Sequence, residues 1–154
     1  MDVTNTTKNK SVRLTEKNMR KVAKMMPSGF EMPRICVVDF SRNNIKSSAI
    51  GGYSKDTHTV YINSKYDTPE KIKEYVNKTE GYFSNSTDLS PYLHELGHKQ
   101  YEDALAAYAE RAGITVDEAR NIVENKLMEY LGQQRKNNEW GHFEKNWRIC
   151  SRII

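Results

Sequence analysis

One uninterrupted helical pattern constrains this chain more than any other feature. It opens at Ser90-Pro91, a capping residue followed by proline at the first helical position, and runs to Gly113, a natural stop. Within it, His94-Glu95-Leu96-Gly97-His98 fits the pattern H-E-x-x-H. At about 100° per residue, His94, His98, Tyr101, Leu105, Tyr108 and Ala112 fall on one stripe, which is expected to face inward.

Two imidazoles four residues apart stand one helical turn, about 5.4 Å, above one another. They can converge on one ion at about 2.0–2.1 Å from each nitrogen, the bond length of zinc to histidine. Glu95 is rotated by about 100° from His94, so it can reach water at such an ion without binding the ion itself. Zinc would acidify that water and polarise a scissile carbonyl, while Glu95 as general base takes the proton and returns it to the leaving amine. Gly97 costs up to about 1 kcal/mol relative to alanine inside a helix, which predicts close approach of a neighbouring strand as the compensation. The competing reading makes the histidines core residues bonded to carbonyls and Glu95 a surface charge.

Upstream lies an ordinary αβ scaffold. Thr15-Glu16 is expected to open a helix with Met19, Val22, Ala23 and Met26 at helical spacing, ended by Pro27-Ser28-Gly29. Residues 34–40, apolar and β-branched, predict a strand. Strands near 49–53 and 57–63 flank Ser54-Lys55-Asp56, whose turn chemistry predicts a hairpin. Val60 and Ile62 alternate with Thr59 and Tyr61, which predicts one buried and one open face. Thr68-Pro69 opens a short helix that should end near Gly81, and Thr115 to Glu118 is a capping box for the helix after Gly113.

The chain has 154 residues, 37% of them hydrophobic and 29% charged, which suits one soluble domain with a real core. No apolar run approaches the roughly 18 residues that span a bilayer, and MDVTNTTKNK lacks the apolar centre of a secretory signal. Cys36 and Cys150 lie outside any C-x-x-C spacing and read as reduced thiols. Residues 1–24 hold seven basic and two acidic side chains, whereas the rest of the chain is nearly balanced. That arm could touch nucleic acid or an acidic partner, although a solvated helix face is the simpler account.

From the hairpin through GYFSNSTDLSPYLHELGHKQYED to GITVDEARNIVENKLMEYL, the sequence resembles the zincin-type metallopeptidase domain of minor head or head-morphogenesis proteins in tailed bacteriophages of Gram-positive hosts. The resemblance covers roughly residues 30–135 and rests on HELGH and its flanks. It implies an α+β fold in which a small mixed or antiparallel sheet with a β-hairpin packs beside the long HExxH helix, followed by an antiparallel helix. It also implies Zn2+ held by His94 and His98, Glu95 as the catalytic base, and a peptide or protein substrate paired to an edge strand of the 47–63 hairpin. Residues 1–29 would form a basic arm and helix, residues 30–135 the zincin-like domain, and residues 136–154 a tail or short helix, as in a shortened chain. Phage head or portal proteins would be partners, in the bacterial host cytoplasm or the virion, with no membrane association.

A catalytic zinc takes three protein ligands, and the third is not evident. Glu118, at the spacing of one zincin class, belongs to the capping box, and His98 lies about 22 Å of helix before the stop at Gly113. Glu129 falls off the apolar stripe formed by Val116, Ala119, Val123, Leu127 and Tyr130. In the tail, Trp140, Phe143, Trp147 and Ile154 would form one helix face, placing Glu139, His142 or Glu144 near the site. The family resembled here takes its acidic ligand from a stretch like N-x-x-E-F-x-A-E, which this chain lacks. Three functions follow: a zinc endopeptidase, a structural virion component that keeps the fold with zinc as a staple, or a basic binding module without metal.

Overall fold

A computed structural model describes residues 3–5, 9–43, 48–79, 81–83 and 86–136. The chain is α+β and divides into two compact units, residues 1–100 and 101–154.

The first unit is built on a four-stranded mixed sheet. In chain order its elements are β1 (Val3–Asn5), α1 (Asn9–Ala23), β2 (Arg34–Val38), a 3-10 turn (Phe40–Arg42), β3 (Gly51–Ser54), β4 (Thr59–Asn63), α2 (Pro69–Lys78) and α3 (Ser90–Ala112), of which residues up to Gln100 belong here. The strand order is β1-β2-β4-β3, with β1, β2 and β4 parallel and β3 antiparallel to β4 at the edge. The parallel pair β1–β2 requires a crossover, and α1 supplies it.

Strand β1 was not expected, because Val3-Thr4-Asn5 carries one apolar side chain and no alternation. Helix α1 also starts six residues before the expected Thr15 cap. Thr15 is instead buried inside the helix, where its side chain meets the Tyr92 hydroxyl. A polar side chain with a tertiary partner thus looks, in sequence, like a helix start.

Met19 and Val22 of α1, Ile35 and Val37 of β2, Val60 and Ile62 of β4, Ile72 and Val76 of α2, and Tyr92 and Leu96 of α3 make one buried cluster. The hairpin forms as expected, with Tyr53 opposite Val60 and Gly51 opposite Ile62. The second face of β4 is not open, however. Thr59 and Asn63 are buried, since Thr59 Oγ1 donates to the Thr57 carbonyl (2.9 Å) and Asn63 Nδ2 to the Ala49 carbonyl (2.8 Å). In α2, Thr68 Oγ1 caps the helix by accepting from the Lys71 amide, and Pro69 occupies the first turn.

In the second unit, α3 stops in a Schellman arrangement. Gly113 adopts φ +66°, Ile114 N donates to Ala109 O (3.1 Å) and Gly113 N to Glu110 O (3.3 Å). Helix α4 (Val116–Lys136) begins with the expected capping box: the Glu118 carboxylate accepts from Thr115 N at 2.8 Å, and Thr115 Oγ1 accepts from Glu118 N at 3.2 Å. Leu105, Ala109 and Ala119 form a small core, and Arg120 closes a bidentate pair onto Glu102 at 2.9 and 2.7 Å. Val116, expected on the apolar stripe, is 38% exposed. Among the described residues no helix is long and apolar enough to cross a membrane.

Candidate metal centre

Helix α3 positions the three motif side chains, but the face it buries differs from the expected stripe. In the first unit its buried residues include Tyr92, Glu95, Leu96 and Lys99, whereas His94 and His98 are only half-buried. Further along, Leu105 is buried and Ala112 exposed. The helix turns its sheet-facing side about 130° from the histidine stripe, because Tyr92 and Leu96 are the large apolar residues that fill the core. Glu95 is therefore drawn inward and the imidazoles are left at the rim.

At that rim the two imidazoles converge. His94 Nε2 lies 3.1 Å from His98 Nε2, with ring planes at 89°. Two nitrogens bound to one tetrahedral ion at 2.0–2.1 Å would stand about 3.3 Å apart, so the pair needs little adjustment to share a metal. The same separation also suits a hydrogen bond between two neutral rings. Burial, with the charge of His98 second, lowers the His94 pKa to about 4, so its ring is neutral at pH 7, the state a metal requires.

Glu95 sits against the edge strand. It is 6% exposed, and the backbone amide of Tyr53 on β3 hydrogen-bonds its carboxylate. Burial raises its pKa to about 7, with the Tyr53 bond pulling partly the other way. The surface-charge reading of Glu95 is thereby excluded. A carboxyl with this pKa can both take and release a proton near neutrality.

The close approach expected at Gly97 is not there: a Cβ on Gly97 would meet no neighbouring residue within 4 Å. The glycine that permits contact is Gly51 of β3, where a Cβ would lie 3.1 Å from Glu95 Cγ and 3.3 Å from the Tyr61 carbonyl oxygen. A glycine pair, Gly51-Gly52, inside a short strand is a recognisable sign of close backbone approach, and it was the signal available in the sequence.

Two aromatic residues in the segment before α3 complete the surroundings, and neither was picked out from sequence. Tyr82 Oη lies 3.5 Å from His94 Nε2, and the two rings are 5.1 Å apart. Phe83 meets the His94 ring edge-on at 5.6 Å. Glu118 and Glu129, set aside as third ligands from the sequence, are respectively committed to a helix cap and exposed. Glu139, His142 and Glu144 lie outside the described residues. Among the described residues, no group of three His, Cys, Asp or Glu side chains is placed to hold a metal ion. Comparison with family models, with curated proteins and with solved structures gives no match for this chain.

Proposed function

We propose that the first unit is a zincin-like zinc metallopeptidase domain, with His94 and His98 as zinc ligands and Glu95 as the general base. The observation that carries this reading is the 3.1 Å convergence of the two Nε2 atoms one helical turn apart. Zinc, when bound there, supplies a Lewis acid that polarises a carbonyl and acidifies water. Glu95 accepts a proton on its carboxylate, holds it in a buried position, and delivers it to the departing amine.

The antiparallel edge strand supports a substrate role. Among the described residues strand β3 pairs with β4 alone, in the strand order given above, and its Gly51–Tyr53 segment lies against Glu95. An extended peptide added alongside β3 would be held by main-chain hydrogen bonds near the base. Unstructured polypeptide is therefore the substrate class. The proposed association with phage head or portal proteins rests on the sequence resemblance around HELGH.

Hydrolysis of an unstructured peptide by wild type and Glu95→Gln tests the reading. The variant keeps shape and both histidines, so it is expected to retain zinc and lose roughly 10²–10⁴-fold in rate. Zinc bound by both proteins with hydrolysis by neither would assign the metal a structural role. Equal hydrolysis by both would remove Glu95 from the mechanism.

A further inference from the structure

We propose that Tyr82 supplies the third protein ligand of this metal centre through its phenolate oxygen, an assignment that rests on reading the histidine pair as a zinc site. Tyr82 Oη is 3.5 Å from His94 Nε2, too long for a strong hydrogen bond. It is close to the separation of about 3.3 Å between two ligands on one tetrahedral ion. One vertex at His98 Nε2, 3.1 Å from His94 Nε2, and another at Tyr82 Oη leave His94 with both neighbours at ligand-to-ligand spacing.

The local backbone presents the ring deliberately. Tyr82 is 59% exposed, one of few large hydrophobic side chains so placed among the described residues. Its amide donates to the Thr79 carbonyl at 3.0 Å, and Gly81 at φ +82° takes the left-handed conformation that brings the chain round after α2. Phe83 packs edge-on against Tyr82 at 5.0 Å and against His94 at 5.6 Å, so one ring steadies both members of the pair. An exposed aromatic held against an imidazole by a turn and a second ring has a reason to be there if its hydroxyl is used.

The chemistry is consistent. Zinc accepts oxygen donors beside imidazole nitrogen, and two histidines with one anionic oxygen make the three-ligand set that leaves a fourth position open. On binding, the phenol O–H bond breaks, the oxygen forms the bond to the metal, and the proton passes to the buffer without any change of oxidation state.

Copper(II) loading of the full chain tests this by spectroscopy, because phenolate bound to copper gives a visible charge-transfer band. Zinc affinity is measured in parallel by competition with a chromophoric chelator. Wild type is expected to show the band, and Tyr82→Phe, which keeps the ring and its packing, to lose it and to bind zinc at least about 10-fold more weakly. A wild-type copper complex without the band overturns the tyrosine assignment and leaves the histidine pair standing. So does a Tyr82→Phe protein that keeps either the band or the zinc affinity. A wild-type chain that binds neither metal overturns both assignments.

Discussion

A Cβ added to Gly51 would lie 3.1 Å from Glu95 Cγ and 3.2 Å from its Oε1, so the edge strand and the motif helix approach as closely as a missing side chain allows. This contact helps keep the carboxyl dry, and that burial lifts its pKa to about 7 against the opposing pull of the Tyr53 amide. The edge strand thus tunes the protonation of Glu95 through its backbone.

Gly51→Ala should therefore cost stability, about 1–3 kcal/mol as for other overpacked sites, because the Tyr61 carbonyl at 3.3 Å is backbone and cannot swing away. Gly97→Ala should do the opposite. With open space around Gly97, alanine is expected to gain up to about 1 kcal/mol of helix propensity. Urea denaturation of the two variants in chelator checks both signs.

In the metal-free protein Glu95 and His94 oppose one another in pH dependence. Folded Glu95 holds its proton to about pH 7, whereas its ordinary value is 4.5, so the folded state binds more protons in between and stability falls as pH rises. Over that window the loss is about 3 kcal/mol. Folded His94 releases its proton near pH 4 instead of 6.5, so there the unfolded state binds more and stability rises with pH. The two slopes nearly offset between about pH 4.5 and 6.5. Glu95→Gln removes only the falling one: its stability should climb across this range and exceed wild type above pH 7. Denaturation at stepped pH measures the difference, and a pH-independent difference between the two proteins contradicts the burial of Glu95.

The Glu102–Arg120 pair is bidentate and only 17–20% exposed, so it lies between a surface and a buried ion pair. Glu102→Gln leaves the guanidinium half-buried with a neutral partner, and a loss of about 1–2 kcal/mol is expected. Adding salt should shrink the loss only slightly. A change within experimental error would place this pair with ordinary surface bridges.

Much of this was legible in the sequence because local chemistry and tertiary structure agree. Thr68-Pro69, the Thr115–Glu118 box and Gly113 each have one good structural solution, and the helices start or stop where those residues require. The hairpin follows from its turn residues for the same reason. What could not be read depends on partners distant in sequence. Thr15 resembles a cap because nothing nearby reveals Tyr92, and Val3–Asn5 is a strand only because β2 lies beside it. At the site, the spacing of HELGH fixes the convergence of the histidines, but not which flank of the helix meets the sheet. That is decided by Tyr92 and Leu96, whose burial turns Glu95 inward and leaves the histidines at the rim. Tyr82 is invisible by pattern, since a tyrosine in a polar loop has no spacing that marks it.

The most direct test of the metal centre is the zinc content of the purified full chain, determined by atomic emission beside the His94→Ala/His98→Ala double variant. Two nitrogens 3.1 Å apart that share an ion should give about one zinc per wild-type molecule and none in the variant. Zinc absent from wild type, or present equally in both proteins, would mean that the histidines only hydrogen-bond to each other and would contradict the proposed site.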